Sequence, residues 1–137
     1  MKVLYTAIST AEGGRDGHAR SLDGNLEVRI VPPRELGGSG QGTNPEQLLS
    51  AAWAACFQNA MHLVARSQGH DLTDSSVTCE VDLGATPEGT FELAARLLVS
   101  VPELDEDTVQ KLLEATHKVC PFSNATRGNV PVELIVE

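Results

Sequence analysis

Residues 44–67 read NPEQLLSAAWAACFQNAMHLVARS. Asn44 is a suitable N-cap, Pro45 fits the first helical position, and Glu46 places negative charge in the first turn. A glycine stands two residues beyond Ser67, where helices commonly end. The stretch therefore predicts one long helix that begins near Pro45 and ends near Ser67.

This predicted helix is apolar around most of its circumference, which is typical of a buried helix. It would span about 30 Å, roughly the width of a small domain. One chain of 137 residues can hardly cover such a helix on all sides, so we expect a second subunit to help bury it. Polar residues interrupt the run and argue against a transmembrane span; they are Ser50, Gln58, Asn59, His62 and Arg66.

Strand patterns precede the helix. Residues 2–9 are rich in β-formers, and residues 25–31 alternate with Leu26, Val28 and Ile30 on one face. Between these stretches, the polar residues 13–18 suit a hairpin connection. The composition of residues 32–42 is that of a loop leading into the helix.

Strands and a second helix follow. Alternation predicts two strands, around residues 77–83 and 91–101, joined by a turn at 86–89. A helix is predicted over 105–118, and Pro121 prevents its continuation. Its predicted inner face consists of Val109, Leu112, Leu113 and Thr116, and a last strand is predicted over 130–136. This order predicts a single α+β domain over residues 1–137, with antiparallel sheets around the central helix.

The composition limits the classes of function. Hydrophobic residues make up 41% of the chain and charged residues 21%, as in globular proteins. A net charge of −9 disfavours nucleic acid and anionic membrane surfaces as partners. No apolar stretch of signal-peptide length follows Lys2, which predicts a cytoplasmic location. In that reducing compartment, cysteines are more often catalytic, metal-binding or inert than bridged.

The three cysteines lie in different settings. Cys56 is in the middle of the predicted helix, where burial would raise its pKa, so a reactive Cys56 would need a cation from elsewhere in the fold. Such a cysteine is more often a small core residue. Cys120 precedes a proline, where its side chain can face a cleft, and His117 lies three residues earlier on the same helical face. A Cys–His pair and an unpaired cysteine at a helix end are both open. Cys79 alternates with valines and is interpreted as a strand core residue.

Two charged residues could complement the cysteines. Arg15 lies in a glycine-rich turn and could supply the cation, although arginines in such turns are usually surface residues. Glu46 is adequately explained by the helix dipole alone. The four histidines lack metal-binding spacing, so no metal site is expected.

Five segments together resemble the organic hydroperoxide resistance (Ohr) proteins of the Ohr/OsmC family. They are Y-T-A at 5–7, G-G-R-D-G at 13–17, T-N-P-E-Q-L at 43–48, A-C-F at 55–57 and V-C-P-F-S-N-A-T-R-G-N at 119–129. The resemblance spans nearly the whole chain, and the last segment favours the Ohr branch over the OsmC branch. It implies an OsmC-like fold and an intertwined homodimer with two active sites at the subunit interface.

The resemblance also implies an activity, that of a cysteine-based peroxidase acting on organic and fatty-acid hydroperoxides. Cys56 would be the peroxidatic thiol and Cys120 the resolving thiol, while Arg15 would activate Cys56 and Glu46 would hold Arg15. The family implies no bound cofactor and no metal. The oxidised form would be reduced by dihydrolipoyl groups on lipoylated proteins.

The physical chemistry of these residues is consistent with that activity. A guanidinium can bind a carboxylate with one edge and favour a thiolate with another. An apolar lining suits a bulky hydroperoxide better than hydrogen peroxide; the expected lining residues are Trp53, Phe57, Met61 and Leu63.

Helix geometry adds one prediction. Glu46 and Cys56 are ten residues apart on one helix, which is about 15 Å along its axis. An arginine bound to Glu46 cannot easily reach Cys56 of the same helix, but it could if two such helices pack antiparallel in a dimer. We therefore predict sites in which the partner subunit's Arg15 and the partner subunit's Glu46 face Cys56 and Cys120.

Other functions remain open at this point. The same dithiol could serve a non-enzymatic redox sensor or a lipid-binding module. Cys120 and His117 could serve a hydrolase. Within the peroxidases, an OsmC-type enzyme with broader use of hydrogen peroxide is a further alternative.

Overall fold

The first sheet is antiparallel and contains three strands, β1 (Ser9–Glu12), β2 (Gly17–Ser21) and β3 (Glu27–Ile30), in that order. The computed structural model describes residues 1–137. A tight turn joins β1 to β2, with the Asp16 N–H donating to the Gly13 carbonyl over 3.2 Å. A side chain at Gly17 would collide with the backbone of Glu12, so this corner requires glycine.

This sheet differs in part from the predicted one. The expected hairpin is present, but it joins β1 to β2, a strand the sequence pattern did not predict. The first strand begins only at Ser9, so the prediction of a strand over residues 2–9 was wrong. Residues 1–8 are exposed and form no ladder, and β-propensity is weak without a partner strand. The predicted strand 25–31 is confirmed as β3, although Leu26 is 39% exposed.

The long helix α1 spans Pro45–Ser67, as predicted. The Asn44 side-chain oxygen accepts the Gln47 N–H at 2.8 Å, which confirms the N-cap. The loop before it contains one 3₁₀ turn, Arg34–Leu36.

Burial of α1 is one-sided. One face enters the core through Trp53, Phe57, Ala60, Met61 and Ala65. The opposite side is exposed at Ala51, Ala52, Ala55 and Leu63. Within one chain, therefore, the helix is buried on one face and not, as the sequence predicted, on most sides. By length and composition alone α1 could cross a membrane, a criterion that core helices of soluble proteins also meet.

The second sheet contains β4 (Ser76–Ala85), β5 (Phe91–Ser100) and β6 (Val132–Val136). The β4–β5 hairpin is antiparallel, as predicted, with Val77 opposite Val99. β6 pairs parallel to β5, with Leu134 beside Leu97, so the prediction of purely antiparallel sheets was wrong. The chain passes through two helices between β5 and β6, and this crossover permits the parallel direction.

Two helices form the crossover. The first, α2 (Glu106–Val119), is capped by Asp105, whose side chain accepts the Thr108 N–H. The four residues predicted for its inner face are all buried. The second, α3 (Pro121–Thr126), was not predicted. Pro121 ends α2 but also occupies the first position of α3, where its missing N–H removes no intrahelical bond.

The chain divides into two compact units, Met1–Leu48 and Leu49–Glu137. The first holds β1–β3, the 3₁₀ turn and the first turn of α1, and the second holds the remaining elements. The core of the second unit combines α1, β5 and α2, and includes Leu97, Leu112 and Cys120. The prediction of a single domain over residues 1–137 stays a prediction.

Candidate functional site

Cys56 and Cys120 meet in the second unit. The Cys120 thiol donates toward the Cys56 sulfur, and the two Sγ atoms are 3.9 Å apart. Both are free thiols, Cys56 half-buried and Cys120 fully buried. The structure thus brings together two residues that are 64 positions apart in the chain. Cys120 does not face an open cleft, as the sequence had suggested, but points into the core.

The fold holds each cysteine differently. Cys56 lies in the middle of α1, one residue before the buried Phe57. Cys120 is at once the C-cap of α2 and the N-cap of α3. Its N–H donates to the Thr116 carbonyl, and its own carbonyl accepts the Asn124 N–H, each over 2.9 Å. Cys120 is therefore fixed from both sides by the helices that meet at it.

The surroundings of the dithiol are apolar. Trp53, Phe57 and Met61 belong to the buried cluster that contains Cys120, and Cys56 packs against that cluster. Leu63, which was expected beside them, is 59% exposed and is not part of the cluster. The Trp53 ring stacks on Phe122, with centroids 6.2 Å apart. The Trp53 indole N–H is buried without a hydrogen-bond partner.

Burial is the main influence on the Cys56 thiol, and it raises its pKa because the thiolate would lose hydration. The neighbouring Cys120 raises that pKa further, whereas the backbone N–H of Phe122 lowers it. The sequence analysis did not predict that the backbone N–H of Phe122 lowers the pKa of Cys56, because Phe122 entered it only as part of a matching segment. The dithiol alone therefore does not make Cys56 a good nucleophile at neutral pH.

Arg15 and Glu46 form the second pair, within the first unit. The Arg15 guanidinium donates to both Glu46 carboxylate oxygens, over 2.7 and 3.3 Å. This fork lowers the pKa of Glu46 and raises that of Arg15. The Glu46 side chain is 17% exposed and that of Arg15 46%, so the guanidinium keeps an accessible edge. Glu46 therefore does more than complement the helix dipole: it holds Arg15.

The remaining candidates, His117 and Cys79, form no hydrogen bond with the dithiol or with the ion pair. The Nδ1 atom of His117 is buried without a partner, and burial lowers the pKa of the ring, with a smaller contribution from Arg127. Cys79 donates only to the Glu80 carbonyl, and burial raises its pKa to about 11. No group of three or more His, Cys, Asp or Glu side chains is arranged to hold a metal ion.

Comparisons with known proteins identify the family of the chain. Residues 38–135 match the family model described as OsmC-like protein. An organic hydroperoxide resistance protein of Xanthomonas axonopodis pv. citri is 48% identical over 135 residues, which cover 97% of this chain and 94% of that protein.

Solved structures are similar along their whole length. An organic hydroperoxide resistance protein of Legionella pneumophila has a TM-score of 0.95 at 48% identity, with 99% of each chain covered. The protein OhrB of Bacillus subtilis has a TM-score of 0.91 at 44% identity, covering 98% of this chain and 100% of that one. The chain belongs to the OsmC-like protein family and, within it, to the organic hydroperoxide resistance proteins.

Proposed function

We propose that this protein is a two-cysteine thiol peroxidase that reduces organic and fatty-acid hydroperoxides to alcohols. The observation that carries the proposal is the approach of the Cys56 and Cys120 sulfurs to 3.9 Å beside an apolar core. A disulfide requires about 2.05 Å between sulfurs, so a local movement of about 2 Å suffices to join them. The names of the relatives, which refer to organic hydroperoxides, support the substrate class.

The proposed reaction has two oxidative steps. The Cys56 thiolate attacks the distal oxygen of the hydroperoxide, the O–O bond breaks, and the alcohol leaves after taking a proton. Cys56 is then a sulfenic acid. The Cys120 sulfur attacks the Cys56 sulfur, an S–S bond replaces the S–O bond, and water leaves. An external dithiol, which we propose to be a dihydrolipoyl group, reopens the disulfide by exchange and is itself oxidised.

The first step needs a cation, because the pKa of Cys56 is raised. Arg15 is the proposed source, since Glu46 holds its guanidinium by two hydrogen bonds and leaves it accessible. Such a charge favours the thiolate and stabilises the charge that develops on the peroxide oxygens.

The site is proposed to be shared between two subunits. α1 runs without interruption from Pro45 to Ser67, so Glu46 and Cys56 of one chain are about 15 Å apart along it. Arg15 of the partner subunit, held by Glu46 of the partner subunit, would reach Cys56 if two α1 helices pack antiparallel. The exposed alanines of α1 support such close packing of a second helix.

The apolar residues around the dithiol are proposed to favour bulky substrates. Trp53, Phe57 and Met61 are fully buried and pack in the cluster that adjoins Cys56. An alkyl or fatty-acid chain bound at Cys56 would lie beside this apolar cluster, whereas hydrogen peroxide has no apolar group to bury there.

Steady-state consumption of cumene hydroperoxide with dihydrolipoamide tests the proposal. The wild type should turn over repeatedly, and Cys56→Ser should show no activity. Cys120→Ser should form a sulfenic acid once and then stall or over-oxidise, while Cys79→Ser serves as the matched control and should stay active. Oxidation of the wild type without turnover would contradict a peroxidase and indicate a sensor.

A further inference from the structure

We infer that Arg127 is a positioning residue for the resolving step: it fixes the corner between α2 and α3 that carries Cys120. This inference rests on the proposed function, because it concerns the rate at which Cys120 attacks the oxidised Cys56. Arg127 itself is exposed at the end of α3 and touches neither sulfur through a hydrogen bond.

The last turn of α2 lacks one backbone hydrogen-bond donor. In a continuous helix, the N–H of residue 121 would bond to the carbonyl of His117. Residue 121 is proline and has no N–H, so this carbonyl at the end of α2 loses its regular partner. The Arg127 guanidinium takes its place and donates to the His117 carbonyl over 2.5 Å.

The same guanidinium also binds the second helix. Its other terminal nitrogen donates to the Asn124 side-chain oxygen over 2.8 Å. Arg127 therefore joins the last turn of α2 to α3, and Cys120 lies between the two attachment points. The planar fork of an arginine fixes both bonds at once, which a single ammonium does less well.

The consequence concerns the distance between the sulfurs. Cys120 has to move from 3.9 Å to bonding distance in a defined direction, and its backbone hydrogen bonds go to the two helices that Arg127 joins. If the corner loosens, Cys120 samples more positions and attacks the sulfenic acid less often. A misplacement of about 1 Å can slow a step by roughly a hundredfold.

Single-turnover oxidation of Arg127→Ala tests the inference. Sulfenic acid on Cys56 is followed by dimedone trapping, and the disulfide is followed by mass spectrometry. We expect sulfenic acid to form nearly as fast as in the wild type and the disulfide to form about ten to a hundred times more slowly. Arg127→Lys should recover part of the rate, because one hydrogen bond to the His117 carbonyl can re-form.

Arg96→Ala is the matched control, since it removes a partly exposed arginine of the same unit whose guanidinium binds Glu80 and Asp82. Its disulfide should form at the wild-type rate. If Arg127→Ala does not fold, as judged by circular dichroism, Arg127→Lys and Asn124→Ala replace it and should show a smaller slowing of the same step. Equal slowing of both steps, or an unchanged rate of disulfide formation, would overturn the inference. Absence of any sulfenic acid in Cys120→Ser would overturn the proposed function first.

Discussion

At the scale of the residue, Cys56 combines protection with poor intrinsic reactivity. Packing against the core would shield the proposed sulfenic acid from bulk solvent, but the same burial raises the pKa of the thiol. Each pKa unit corresponds to about 1.4 kcal/mol, so a guanidinium in contact with the sulfur can reverse the shift. Arg15, which Glu46 orients and which stays accessible, is the residue proposed to supply that guanidinium.

Removal of that charge should change the titration of the thiol. We expect Arg15→Ala to raise the pKa of Cys56 and to slow its alkylation at pH 7 by about tenfold or more. The measurement is the rate of iodoacetamide labelling of Cys56 between pH 5 and 10. Arg20→Ala, which removes an exposed arginine from β2, is the control. Its Cys56 should be labelled at the wild-type rate at each pH.

The ion pair should also be visible in stability. Because the pKa of Glu46 is lowered in the folded protein, the pair stabilises the fold above the unfolded pKa near 4.3, and this contribution disappears as the pH falls through the folded value. Glu46→Gln should therefore lower the free energy of unfolding at pH 7 by at most about 1 kcal/mol, with little difference left near pH 3. Chemical unfolding of both proteins across that range measures it, and a constant difference would contradict it.

The contacts of individual site residues could be predicted only in part from the sequence. The separation of 64 residues between Cys56 and Cys120 in the sequence does not indicate how far apart they lie in the fold. The pairing was therefore predicted only from the resemblance, and the fold brings their sulfurs to 3.9 Å. The Arg15–Glu46 pair was likewise predicted only from the resemblance. The hydrogen bond from the Phe122 N–H to Cys56 depends on the backbone direction at Pro121, and the pattern of side chains does not predict that direction.

At the scale of the element, α1 connects the two residue pairs. It carries Glu46 in its first turn and Cys56 near its middle, and its start is fixed by Asn44. Any fraying of the first turn would move Glu46 and with it Arg15. The cap is thus part of what keeps the guanidinium in place.

Loss of this cap should destabilise the protein measurably. We expect Asn44→Ala to lower the free energy of unfolding by about 1 kcal/mol, because the Gln47 N–H loses its acceptor. Asn44→Ser retains a capping oxygen and should lose much less. Urea unfolding of the two variants beside the wild type compares them, and equal losses would show that packing of Asn44, rather than capping, is responsible.

The helices were easier to predict than the strands. Caps and a 3.6-residue period mark α1 and α2 locally, whereas alternation is the same for parallel and antiparallel strands, so the direction of β6 could not be read. β2 lacks β-branched residues and takes its structure from β1 and β3. α3 was missed because a proline that ends one helix can begin the next.

At the scale of the whole molecule, the proposed site requires two chains. α1 leaves an exposed side, and the distance along it separates Glu46 from Cys56. Each half of the proposed site is assembled within its own unit of the chain, cysteines in one and the ion pair in the other. A homodimer with antiparallel α1 helices would unite them twice.

Mixing of two variants, each lacking one part of the proposed site, tests this sharing. Subunits of Cys56→Ser and Arg15→Ala, exchanged to equilibrium, form heterodimers in which one of the two sites has both an intact thiol and an intact guanidinium. Activity should recover to about a quarter of the wild type in an equal mixture, since half of the dimers are mixed. No recovery, with exchange confirmed by mass spectrometry, would show that each site uses residues of one chain.

The most direct test of the central claim is the stoichiometry of a single turnover. Reduced protein mixed with one equivalent of cumene hydroperoxide should yield one equivalent of the alcohol and one Cys56–Cys120 disulfide, with Cys79 still a free thiol. Mass spectrometry of the peptides and chromatography of the alcohol measure both products. Alcohol formation without that disulfide, or in the Cys56→Ser variant, would contradict the account.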